Sequence, residues 1–120
     1  MESKLRGRFG EEMAAAYLKK KRYKLVGMNY RTRLGEIDLI VSDRRYIVFV
    51  EVKLRRSASF AEAREFVTRG KQQRVIMAAQ SWLQANPTKL QPRFDVVEVY
   101  APQGEDTERL EINHIENAFC

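Results

Sequence analysis

In 120 residues the chain has one cysteine, one histidine, one tryptophan and three prolines. A lone cysteine excludes an internal disulfide, and Cys120, the last residue, is poorly placed for a nucleophile. The lone histidine, His114, excludes a histidine-rich metal site and argues against histidine-based nuclease chemistry, so it reads as structural. No apolar run approaches the ~18 residues of a membrane span. The opening Met1-Glu2-Ser3-Lys4 lacks the apolar stretch of a secretory signal. Together these absences predict a cytoplasmic protein. No repeat, low-complexity tract or long linker divides the chain, which predicts one domain over residues 1–120.

What is present is an ordinary globular composition, 44% hydrophobic, enough for a core without disulfide or zinc staples. Lys and Arg number 22 against 16 Asp and Glu, and the net charge of +6 suits a polyanionic partner such as DNA or RNA.

Periodicity predicts the elements. Met13, Ala14, Tyr17 and Leu18 recur at helical spacing within a helix from about Gly7 to Lys21. The run Lys19 to Arg22 reads first as its solvated C-terminal end, with a DNA contact as the alternative. A short strand is expected over Tyr23–Tyr30. Two β-rich runs, 36–41 and 46–54, flank the polar turn 42–45 and read as a hairpin. From Tyr46 to Val52 the second is apolar on both faces apart from Glu51, as in a central strand. A loop is expected after it, with a helical turn around Ala61 to Phe66. Thr68 is placed to cap a helix from about Arg69 to Ala85, which Asn86-Pro87 ends. Strands follow over Arg93–Tyr100 and Arg109–Ile115, with a turn from Pro102 to Asp106. The order, one helix, three strands, one helix and two strands, predicts an α/β sandwich. Trp82 and Tyr17 read as core residues.

Strand geometry sorts the charged side chains. Residues two apart share a face, so Glu36 and Asp38 pair off, as do Glu51 and Lys53. In a hairpin turning at 42–45, Asp38 and Glu51 become neighbours. Two adjacent carboxylates repel, and a divalent cation relieves that repulsion. Asp and Glu oxygens suit Mg²⁺ or Mn²⁺. Lys53 beside them can orient a water and stabilise charge on an attacked phosphate. On the first helix Glu11 projects from the small apolar face, and Gln72 heads the apolar stripe of the second. Arg31, Arg33, Arg55 and Lys71 flank these positions as candidate phosphate contacts. Asp95 reads as structural, pairing with a nearby arginine. A plainer alternative stays open: a salt-bridge network of Glu51 and Lys53 at a sheet end, with Asp38 accepting backbone hydrogen bonds, and Glu11 and Gln72 as ordinary first-turn residues of their helices.

Gly10-Glu11, Ala14, Tyr17-Leu18, Asn29-Tyr30-Arg31, Gly35 to Ile40, Phe49 to Lys53, Lys71-Gln72, Arg93 to Val97 and Asn117-Ala118-Phe119 together resemble the YraN-like family of small bacterial proteins, often called endonucleases. That family is similar to the restriction-endonuclease-like, PD-(D/E)XK superfamily and, in its core, to archaeal Holliday-junction resolvases. The resemblance implies a three-layer sandwich with a mixed central sheet flanked by helices. It implies that Asp38 and Glu51 bind Mg²⁺ or Mn²⁺, that Lys53 is the catalytic lysine, and that Glu11 and Gln72 join the site. Ile37 stands where the superfamily motif usually has proline. The expected function is a metal-dependent endonuclease on DNA, with branched or damaged DNA among the candidate substrates and a homodimer as the assembly expected of a junction resolvase. The alternative is a nucleic-acid-binding or partner-binding protein that keeps the fold without efficient catalysis.

Overall fold

A computed structural model describes residues 2–56 and 67–120, with side chains from residue 8 onward. The turn expected around Ala61 to Phe66 lies outside the described residues. The elements run α1 (Glu2–Lys20), β1 (Lys24–Arg31), β2 (Glu36–Ser42), β3 (Tyr46–Arg55), α2 (Arg69–Ala85), β4 (Gln91–Tyr100) and β5 (Glu111–Ile115). A 3₁₀ turn, Gly104–Asp106, falls within the loop expected there.

The strands form one mixed sheet in sequence order, β1 to β5. β1–β2, β2–β3 and β4–β5 are antiparallel, and β3–β4 is parallel. The parallel pair requires a crossover, and α2 lies in that connection. β3 is central and buried on both faces, as its two-sided apolar run predicts. Even-numbered Val48 and Val50 face α1, packing with Ala14, Ala15 and Leu18. Odd-numbered Ile47 and Phe49 face α2, packing with Val75, Ala78 and Ala79. The result is three layers, helix, sheet and helix, among the described residues. Among the described residues, no helix is long and apolar enough to cross a membrane.

Local chemistry accounts for the boundaries. Asp43 Oδ1 accepts the amides of Arg45 and Tyr46, both at 2.8 Å, and so folds the β2–β3 turn on itself. Thr68 caps α2 by accepting the Lys71 amide at 3.2 Å. Gly35 lets α2 approach β2: a Cβ there would meet the Arg74 carbonyl oxygen at 2.0 Å. α1 begins earlier than its apolar spacing suggests, and β4 takes in Gln91 and Pro92 ahead of its apolar core.

Candidate active site

The site forms where the β2–β3 ladder opens. Pairing runs from Ser42–Ile47 to Leu39–Val50 and stops there. One residue further, Asp38 takes over from the backbone, its Oδ2 accepting the Val52 amide at 2.8 Å. The alternation also breaks at this point. Ile37 lies in the core layer under α2, whereas Leu39 lies in the layer under α1. Across β1, Asn29 sits between Met28, paired with Leu39, and Tyr30, paired with Ile37, so it stands opposite Asp38. Its φ of +52° is a left-handed conformation that asparagine tolerates better than most side chains.

Glu51 follows the alternation of β3 onto the α2 face and is 4% exposed. Its Oε1 lies 3.2 Å from the Lys71 ammonium in the first turn of α2. Lys53, two residues along, is half-buried on the same face. Burial lowers its pKa and the neighbouring Lys71 charge adds to this, while Glu51 opposes them. For Lys71, burial is outweighed by Glu51, and its pKa rises. Asp38 is pushed up to about 7 by burial and by the Glu51 charge, with the Val52 amide opposing. Glu11 reaches the same region from α1. Burial raises its pKa, and Glu36 and Glu51 add to the rise, against a hydrogen bond from Asn29 and the charge of Arg31. Three carboxylates from three elements thus sense one another beside two ammonium groups.

The other expected residues divide by environment. Gln72 donates its side-chain amide to the Val67 carbonyl at 2.8 Å, bracing the start of α2. Arg31 is exposed and ion-paired with Glu36 at 3.5 Å. Arg33 is exposed in the β1–β2 turn. Arg55 is 8% exposed and lies 3.6 Å from Glu98, inside the protein rather than on a phosphate-contacting surface. Lys71 was expected on that surface, and Glu51 draws it into the site. The plainer reading holds in one respect, since Asp38 does accept a backbone amide. Glu51, however, pairs with Lys71 on α2, a partner that a sheet-end network with Lys53 does not include.

Asp95 and His114 form a separate, structural cluster. Asp95 is fully buried and receives Arg93 through two hydrogen bonds, at 2.9 and 2.8 Å, and the Asn117 amide at 3.0 Å. His114 Nε2 lies 2.7 Å from Asp95, and its Nδ1 lies 3.0 Å from the Lys21 ammonium. An ammonium can only donate, so Nδ1 accepts and Nε2 carries the proton given to Asp95. Burial alone would raise the Asp95 pKa, but His114, Arg93 and Asn117 together hold it below the usual carboxylate value.

The residue that sequence reasoning missed at the site is Asn29. In the sequence it stands out only as part of the stretch Asn29-Tyr30-Arg31. Its role depends on register with Asp38 and contact with Glu11, and no local pattern encodes either. Among the described residues, no three His, Cys, Asp or Glu side chains form a ready metal cage. What the site offers is the pair Asp38 and Glu51, with Glu11 nearby.

Residues 10–99 match the family described as "Uncharacterised protein family UPF0102". A UPF0102 protein of Caldanaerobacter subterraneus is 45% identical over 94% of this chain and 93% of its own length. One from Acetivibrio thermocellus is 45% identical over 94% of this chain and 89% of its own. One from Geobacter sulfurreducens is 40% identical over 98% and 90%. The match covers both strands that carry the carboxylates as well as the helix that carries Lys71, and the chain belongs to the UPF0102 family.

Proposed function

We propose that the chain is a divalent-metal-dependent endonuclease hydrolysing phosphodiester bonds in DNA, with a restriction-endonuclease-like, PD-(D/E)XK architecture. The observation that carries this reading is the convergence of Asp38, Glu51 and Glu11 with Lys53 and Lys71 where the β2–β3 ladder opens. Two carboxylates in one partly desolvated place repel, and Asp38 registers that repulsion. Oxygen donors in such a pair fit Mg²⁺ or Mn²⁺, which bind through one or two carboxylates and complete their shells with water and phosphate. Asp38 and Glu51 would hold the cation, which supplies Lewis-acid stabilisation of phosphate charge.

The chain's own groups do the rest. Val52 fixes Asp38 through its amide. Lys53 orients the attacking water and offsets charge on the phosphate as the water oxygen bonds to phosphorus and the ester oxygen leaves. Lys71 neutralises Glu51 and stands ready for a phosphate oxygen. Glu11, held by Asn29, adds a third carboxylate at the rim. A homodimer would present two such sites to a branched substrate.

One observation favours a second reading, a nucleic-acid-binding or partner-binding protein without efficient catalysis. The Glu51–Lys71 pair neutralises the site with no metal required. Labelled branched, flapped and linear DNA incubated with Mg²⁺ or Mn²⁺ decides between them. Metal-dependent cleavage that EDTA stops is the expected result. Tight binding with no cleavage on any substrate or metal supports the second reading instead.

A further inference from the structure

At the end of the sheet opposite the carboxylates, two charged runs far apart in sequence meet. Lys21, Arg22 and Lys24 from the α1–β1 connection face Arg44 and Arg45 from the β2–β3 turn across an open cleft of about 730 Å³. Asp43 is the one carboxylate there, and its Oδ1 is already bonded to two turn amides. Among the described residues, none of the five cations forms an ion pair, and only the Lys21 ammonium has a side-chain partner, His114 Nδ1. Such a concave, one-signed surface concentrates an anionic partner.

Arg22 supplies a second observation. It closes α1 with φ +74°, its amide bonded to Lys19 O at 2.9 Å and the Tyr23 amide to Leu18 O at 3.0 Å. That arrangement is a helix-ending motif in which glycine fits without cost. An arginine there carries backbone strain that the fold does not need, and such strain gathers at functional positions.

We propose that this cleft grips a second stretch of phosphodiester backbone, remote from the bond that is cut. The proposal rests on the nucleic-acid reading above and extends it to substrate length. From Arg45 to Glu51 the extended chain covers about 20 Å at roughly 3.3 Å per residue. A duplex rising about 3.4 Å per base pair is long enough to reach both places after about six pairs. A small phosphodiester reaches only the carboxylates.

The test uses the full chain and a labelled duplex of about 24 base pairs, titrated in EDTA over a range of salt. Wild type is compared with Arg22→Gly and with the double variant Arg44→Ala/Arg45→Ala. The slope of log K against log salt should fall in magnitude by about 1 for Arg22→Gly and about 2 for the double variant. Arg22→Gly should melt no lower than wild type, because glycine relieves the left-handed residue, so its weaker binding cannot come from unfolding. Hydrolysis of bis(p-nitrophenyl) phosphate with Mn²⁺ should be the same in all three proteins. Failure of the nuclease reading shows separately, as a wild type that hydrolyses none of this small ester while the salt slopes still decide the cleft. Variants with the wild-type slope overturn the proposal. So do anionic phospholipid vesicles that bind through these arginines when the duplex does not.

Discussion

The Lys71 ammonium lies 3.2 Å from Glu51 Oε1, joining the first turn of α2 to the middle of β3. The carboxylate is almost fully buried and the ammonium is 44% exposed, so the cation can turn outward more easily than the anion. On the metal-dependent reading proposed above, a divalent cation would compete with Lys71 for Glu51.

Removing each ammonium should have a different effect. Lys71→Ala should lower the melting temperature in EDTA, because Glu51 is left buried without a partner. The same variant should gain more from Mn²⁺ than wild type does. Lys53→Ala keeps both carboxylates and should bind DNA nearly as well as wild type, yet cleave it roughly a hundredfold more slowly. Melting curves with and without Mn²⁺ and single-turnover cleavage read these effects. Unchanged cleavage in Lys53→Ala removes that lysine from the mechanism.

Metal binding should stabilise the fold, since only the folded chain brings Asp38 and Glu51 together. Mn²⁺ at a hundred times its dissociation constant should add about 2.7 kcal/mol. Asp38→Asn keeps an oxygen for the Val52 amide but loses the charge that repels Glu51. It should melt no lower than wild type in EDTA and gain little from Mn²⁺. Equal gains in both proteins would place the metal elsewhere.

Gly35→Ala tests whether α2 is seated on β2 as described. The added methyl would fall 2.0 Å from a backbone oxygen, which no rotamer change relieves. A loss of about 2–3 kcal/mol is expected from such overpacking. The shift of α2 should also enlarge the Mn²⁺ response by moving Lys71 away from Glu51. Denaturant unfolding within a few tenths of a kcal/mol of wild type would contradict the close approach.

Asp95 carries a pH signature. Its folded pKa lies below the ordinary value of 3.8, so the unfolded chain binds this proton more tightly. Its stabilisation is present above 3.8 and fades as pH falls through the lower folded value. Asp95→Asn leaves buried Arg93 without a charge partner and should cost about 3 kcal/mol at neutral pH. The gap between variant and wild type should narrow below about pH 4. Urea unfolding across that range measures it, and a gap that stays constant on acidification would show that the Asp95 charge is not its source.

Much of the fold was legible because it is encoded locally. The two-sided apolar run from Tyr46 to Val52 suits a central strand, and β3 is one. Thr68 and Asn86 mark the ends of α2 through their own side chains, where the structure has them. Asp95 paired with an arginine as expected, two residues away on its own strand. Period-two spacing correctly put Glu51 and Lys53 on one face. Its alternation failed between Ile37 and Leu39, which lie in different layers as the strands part, because strand divergence is a property of the pairing and not of the run. Partner choice among charges was decided only in three dimensions. Lys71 reaches Glu51, Arg55 is buried against Glu98, and Asn29 faces Asp38, because α2, β4 and β1 bring them there from distant parts of the chain. The two basic runs meet at one cleft for the same reason. Hydrophobic period and capping act over a few residues and can be read in order, but an ion pair depends on which elements pack together, and that is settled by the whole core.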